Sequence, residues 1–252
     1  MNTETSIINV VGTRPIPEVE EEYNKWYDEV HIPMVLKHPN VISVRRHQIV
    51  TKGDLPPHSC HKHNVNYGKY LTIYRFANAE SYGNYANSQV RAEVKEDTQR
   101  RWKPAQLSVI MRAPYMVCRT WQGSKSNTSS HICILGLKIE GETLAEFNEW
   151  FANMLAPRIV KAPPVLRLSW HELVPGISGI STVGYLAPPE EGYPDFLVTI
   201  DLEGRAAVDA YGDCGNVSEI DKEINKLRKA VGVKVMACIA YEFMRKWSGN
   251  PV

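Results

Sequence analysis

A histidine one helical turn from a carboxylate, on a helix that also carries a row of aromatic rings, is the arrangement in this sequence best suited to chemistry. In EEYNKWYDEVHIPM, His31 follows Asp28 by three residues. At about 100° per residue, Tyr23, Trp26, Tyr27, Val30 and Met34 form one apolar stripe. His31 falls about 80° from Tyr23, on the flank of that stripe, and shares a polar seam with Asn24 and Asp28. A carboxylate one turn back orients an imidazole and raises its basicity. The spacing therefore predicts His31 as a general acid/base with Asp28 as its orienting partner.

The walls of such a site come from neighbouring elements. Tyr23, Trp26 and Tyr27 offer flat apolar surface for a substrate. In the strand-like runs IINVV and YLTIYRF, Asn9 on one side and Tyr70, Thr72 and Tyr74 on the other alternate with apolar residues, so each set shares one face. A Tyr74 hydroxyl beside the histidine could donate to a developing enolate or phenolate oxygen. These tyrosines also read as core aromatics with one polar tip. Arg46, next to Arg45, suits an anionic group of the substrate or a solvated strand end. His47 is a further contact candidate, although a repeat of it at His171 favours a structural role.

No metal is expected. His58, Cys60, His61 and His63 fall within HSCHKH, whereas zinc sites usually gather ligands from two separated elements. A pocket-rim loop is the simpler reading. No GxGxxG or GxxxxGK[ST] run is present and nothing singles out a porphyrin pocket, so no cofactor is expected either. The glycine-spaced VPGISGISTVG, Val174 to Gly184, reads as a loop. Five cysteines, scattered and without a CxxC pair, fit reduced structural thiols.

With 29 basic against 28 acidic side chains, interspersed, the chain offers no field for phosphate backbones or anionic lipid, so nucleic acid is not an expected partner. No basic segment leads into a long apolar stretch, and no run reaches about 18 apolar residues. These features predict no membrane partner, a cytoplasmic location and a hydrophobic or phenolic small-molecule substrate.

The elements that must position His31 are legible through an internal repeat. The segment from Glu21, EEYNKWYDEVHIPMVLKHPNVISVRRHQIV, lies over the segment from Ala145, AEFNEWFANMLAPRIVKAPPVLRLSWHELV, at a constant offset of 124 residues. Trp26, Pro33, Pro39 and His47 recur as Trp150, Pro157, Pro163 and His171. Asp28 and His31 do not recur, because Ala152 and Leu155 stand in their places. The scaffold thus accepts apolar residues there, which argues that His31 is kept for chemistry or ligand contact.

Each half reads as strand, helix, strand, strand, helix, strand. In the first half these are SIINVVGT, a helix entered through an acidic turn, VISVRRHQIV, KYLTIYRF, a helix around Ala79 to Arg101, and a strand near Leu107 to Cys118. That order predicts an α+β ferredoxin-like unit (βαββαβ), residues 1–121, repeated at 132–252 with a degenerate site and joined by a polar linker, 122–131. Packing the two units sheet to sheet would bury the face that the helices leave open.

The motif WYDEVHIP with the strand VISVRRH resembles the dimeric α/β-barrel superfamily, in which ferredoxin-like units pair through their sheets. The organisation, with a histidine in a VHIP context, is similar to that of bacterial chalcone isomerase. The resemblance implies an intrachain dimeric α/β barrel, allows a homo-oligomer, and carries the role of proton transfer to His31 alone. Expected on these grounds is a cofactor-free isomerase, cyclase or lyase that moves protons on an aromatic or polyketide-like molecule. Two alternatives stand beside it. One is a cofactor-independent oxygenase on a phenol or quinol; the other is a non-catalytic small-molecule binding or accessory protein.

Overall fold

β-branched and aromatic residues concentrate in the segments that become strands. The computed structural model describes residues 5–50, 68–123, 129–139, 144–174, 193–206, 208 and 233–249. Its strands are β1 (Ile7–Pro15), β2 (Ser43–Ile49), β3 (Tyr70–Phe76), β4 (Leu107–Gln122), β5 (His131–Ile139), β6 (Val165–Leu173), β7 (Phe196–Leu202) and β8 (Val233–Ser248). They form a closed antiparallel barrel in the order β1-β3-β2-β8-β5-β7-β6-β4.

That ring is two equal arcs, β4-β1-β3-β2 and β8-β5-β7-β6, each with the ferredoxin-like strand order. The fold is α+β, built from two fused ferredoxin-like units. The arcs are joined by the two longest strands. β4 pairs with β1 from Leu107 to Met116 and then with β6 through Gln122; β8 pairs with β5 and then with β2 through Ser248. At both exits the chains lie so close that only glycine fits. A Cβ on Gly123 or Gly249 would lie 2.0 Å from the carbonyl oxygen of Val165 or Val41. Ring closure leaves the barrel without a free edge strand.

Alternation along the strands sorts side chains into two environments. Ile8, Val10, Leu71, Ile73, Met111, Tyr115, Ile134, Leu197 and Tyr241 fill the barrel interior. Ile7, Val11, Val44, Tyr70, Tyr74 and Phe76 point outward under the first-half helices. Those helices are α1 (Glu20–Trp26), a π-helical turn (Tyr27–His31), α2 (Ile32–Val35), α3 (Ala79–Ala86) and α4 (Gln89–Arg101). In the second half, α5 (Leu144–Trp150), a π-helical turn (Phe151–Leu155) and α6 (Ala156–Val160) cover the opposite outer face.

Three expectations need correction. The single helix over Ala79 to Arg101 is two, because Asn78 and Ser88 each accept a hydrogen bond at a helix start, from Ser81 N–H and Arg91 N–H. The final strand of the first half continues past Cys118 to Gln122, since it pairs with both arcs. The apolar stripe also shifts. Val30 is 39% exposed and His31 only 8%. The widened turn is the cause, with Ile32 N–H bonding to Tyr27 C=O five residues back. Pro33 has no N–H to give Glu29, and its ring would crowd the Glu29 carbonyl in an α-helix. Pro157 stands at the end of the matching turn, where Ala156 N–H bonds to Phe151 C=O.

The ends of the expected linker, Gln122 and His131, are strand residues. Residues 58–63, most of 174–184 and most of the segment expected to hold the second helix of the second half lie outside the described residues. No helix among the described residues is long and apolar enough to cross a membrane.

Candidate active site

The π-helical turn decides what surrounds His31. With an extra residue in the turn, the residues stacked beneath His31 are those four and five positions back. Its ring stacks on Tyr27 at 4.5 Å between centroids and 30° between planes, and lies 4.9 Å from Trp26. Asp28 is rotated away from it. The Asp28 carboxylate accepts from Arg46 Nη1 at 2.6 Å instead. The expected orienting pair of Asp28 and His31 is therefore not formed; the α-helical wheel misplaced it by one residue.

What His31 meets is Tyr74. Its Nε2 lies 3.3 Å from the Tyr74 hydroxyl, which in turn is 2.7 Å from the Tyr27 hydroxyl. This buried chain of Tyr27, Tyr74 and His31 joins the helix to the sheet. Burial, with Arg112, Arg91 and Arg46 adding positive charge, depresses the His31 pKa to about 3. Burial likewise raises the Tyr74 pKa well above its usual value. At neutral pH both groups are uncharged.

Arg46 organises a second cluster beside the first. It is fully buried, donates from Nη2 to Asn24 Oδ1 at 2.6 Å, and lies 4.5 Å and 4.7 Å from the ring centres of Tyr27 and Tyr70. Asn24 donates to the Tyr70 hydroxyl at 2.8 Å, and Tyr70 also bonds to Glu20. Tyr23 closes the group through Thr13 at 2.6 Å, and Trp26 donates its indole N–H to Asp97 at 2.9 Å. Arg46 thus acts here as a scaffold cation.

Strand register brings the remaining candidates to the same face. Asn9 pairs with Tyr74, and Val11 and Arg46 flank Thr72. Asn9 Oδ1, Thr72 Oγ1 and Arg46 Nε are buried with no hydrogen-bond partner. Such atoms are uncommon in native proteins and mark places where a ligand or water can bond. His47 is the exception. As the neighbour of Arg46 along β2 it points to the opposite side, into the barrel, where it is fully buried against Phe243. The structure does not bring it to His31.

Arg91 on α4 and Arg112 on β4 were missed by sequence reasoning. Both act on His31 and on the tyrosines around it, and among the described residues neither is ion-paired to a carboxylate. A lone charge inside the otherwise apolar VIMRAPYM run was the available signal for Arg112.

Equivalent positions in the second half sharpen the contrast. Tyr23, Tyr27, Tyr70, Tyr74 and Thr72 are replaced there by Phe147, Phe151, Phe196, Ile200 and Val198; His31 by Leu155; and Arg46 by Trp170. Trp170 stacks between Phe151 at 4.5 Å and Phe196 at 4.8 Å. The same scaffold closes as an apolar core in one half and as a polar cluster in the other. Among the described residues, no three His, Cys, Asp or Glu side chains converge as a metal-ligand set.

Comparisons with known proteins bear on the fold. A family profile described as "Domain of unknown function (DUF4286)" matches residues 8–110, which span β1 to the start of β4 and hold the polar cluster. No curated protein matches the chain. Among solved structures, an anthrone oxidase-like protein is similar over 99% of this chain and 95% of its own, with a TM-score of 0.61 at 13% identity. A protein assigned as a monooxygenase from Fusobacterium nucleatum covers 98% and 95%, with a TM-score of 0.58 at 10% identity. Another such protein, from Lactobacillus acidophilus, covers 98% and 97%, with a TM-score of 0.52 at 8% identity. This is a fold shared with proteins of oxygen chemistry. The expectation of an isomerase, cyclase or lyase is overturned accordingly. The geometry agrees, because a histidine with a pKa near 3 and no carboxylate behind it is a weak base for carbon acids.

Proposed function

We propose that the chain is an enzyme, a cofactor-independent oxygenase that takes an electron-rich phenol or quinol in the first-half cluster. The observation that carries the reading is the asymmetry between the halves. The first keeps hydroxyls, an imidazole and unpartnered buried polar atoms at positions where the second has phenylalanine, leucine, isoleucine and valine.

The residues suit such a substrate in three ways. Trp26 and the tyrosine rings supply flat apolar walls. Arg91 and Arg112, close to Tyr74, Tyr85 and His31, favour a substrate bound as its phenolate, the form most easily oxidised by dioxygen. Neutral His31, in contact with Tyr74 and Tyr27, offers a path along which a substrate hydroxyl proton can move without charging a buried ring. The overall reaction balances for a quinol as quinol plus dioxygen giving quinone plus hydrogen peroxide. For a phenol with an open ring position, phenol plus dioxygen gives quinone plus water. Support also comes from the names of the structural neighbours, monooxygenase and anthrone oxidase-like.

The test is oxygen uptake with a panel of phenols, quinols and anthrones. His31→Leu, which copies Leu155, is expected to keep the fold and abolish uptake. Tyr74→Phe should reduce kcat by about 100-fold. Saturable binding of the panel without any oxygen uptake would overturn the reaction while leaving the site as a binding pocket.

A further inference from the structure

On the other side of the sheet from His31, at one end of the barrel interior, lies a cavity of about 260 Å³. It sits where the halves meet, and its lining comes from equivalent positions of both. Arg45 faces the place that Ser169 fills in the second half, Arg75 the place of Asp201, Ser43 the place of Arg167, and Thr120 the place of Lys246. Duplication would have made these four pairs identical, as Ile8 and Ile132 in the same lining still are; instead all four differ, and the differences accumulate charge. Four cations, Arg45, Arg75, Arg167 and Lys246, surround one carboxylate, Asp201.

The internal ion pairs consume only part of that charge. Asp201 is held from one side by Arg45 Nη2 at 2.8 Å and from the other by Arg167 Nε at 2.7 Å and Nη2 at 2.5 Å. Arg75 and Lys246, both exposed at the rim, make no ion pair among the described residues. A bridge that merely clasped the two halves would need no third or fourth cation. The floor is polar as well. Buried His171 spends Nε2 on Thr199 Oγ1 at 2.9 Å, and its Nδ1 has no partner.

We propose that this barrel mouth is a second ligand site, separate from the His31 cluster, which takes a small polyanion such as a phosphate monoester or a di- or tricarboxylate. Arg75 and Lys246 neutralise it at the rim, the free donors of Arg167 and Arg45 reach it from the sides, and His171 bonds to its inner end. The cavity is smaller than most pockets for drug-sized ligands, which fits an anion of a few carbon atoms. Because β2 and β8 meet across this mouth, an occupant would tie the two halves together.

Calorimetric titration of the full chain with inorganic phosphate and with citrate, at about 0.15 M salt, tests the site. Saturable binding of one equivalent of either anion is expected. Phosphate alone would point to a phosphate monoester, citrate alone to a polycarboxylate. In the Arg75→Ala/Lys246→Ala double variant, both changes being at exposed positions, affinity should fall at least about tenfold with the unfolding midpoint unchanged. His31→Leu should bind as the parent does. No saturable heat up to about 10 mM for either anion overturns the proposal, and so does a double variant that binds as tightly as the parent.

Discussion

Arg46 shows how one side chain sets the character of a site. It carries a positive charge at zero exposure, with Asp28, Asn24 and three tyrosine rings packed around its guanidinium. Removing one partner of a buried pair leaves a charge with neither water nor counter-ion. Asp28→Ala is that case, because it strands the fully buried Arg46 cation, and it is expected to lower the unfolding free energy by about 3 kcal/mol, read by urea denaturation. Arg46→Ala strands no charge, because Asp28 is partly exposed to water, so its cost comes from the cavity left among the three tyrosine rings. The sequence showed the residue types at this site well, and the internal repeat separated His31 from the scaffold. It could not show partners. Asp28 looked like the neighbour of His31 because both lie on one helix, whereas its true partner is eighteen residues away on β2.

At the level of elements, the π-helical turn is the feature that pattern reading missed. A period of 3.6 residues puts Val30 inside and His31 on the flank, whereas the local period of this segment is longer and reverses the two. The signal was present, in a proline two residues after the histidine and again in the second half. A deletion tests the turn's role. Removing Val30 together with Pro33→Ala, so that no proline ring crowds the carbonyl four residues back, lets the segment wind as an α-helix with His31 still facing inward, one residue closer to Tyr27. Circular dichroism should remain native and stability change by less than about 2 kcal/mol. Oxygen uptake should fall sharply, because the contact between His31 and Tyr74 depends on the longer spacing. The strands were easier to read, since alternation alone put Tyr70, Thr72 and Tyr74 on one face of β3, and strand register then set Asn9 of β1 beside Tyr74.

For the whole molecule, three buried histidines make stability depend on pH. His31, His47 and His171 each have a pKa depressed to about 3 by burial. The unfolded chain protonates them below about 6.5, and the folded chain does so only near 3. Stability is therefore full above pH 6.5 and declines as pH falls from there, by up to about 1.4 kcal/mol per pH unit for each histidine. Asp201, whose pKa is lowered by Arg45 and Arg167 against the effect of burial, adds a loss in the same direction at lower pH. Urea denaturation should show a loss of at least about 2 kcal/mol between pH 6.5 and 5, and a flat profile there would contradict these assignments. The duplication made the two-unit architecture legible. The cation-lined mouth was not, because it exists only once strand register sets Arg45, Arg75, Arg167 and Lys246 around one opening.

The two long strands that serve both arcs also impose a schedule on the nascent chain. When Gln122 has been made, β2 still lacks its neighbour, since β8 lies more than a hundred residues further along. At typical synthesis rates of about 5–20 residues per second, the first arc waits roughly 6–25 s with an open edge and an uncovered interior face. A ribosome paused in that interval presents an apolar sheet prone to pair with another chain. Recovery of soluble protein should therefore depend on elongation speed and on chaperone capacity far more than the stability of the finished barrel would suggest.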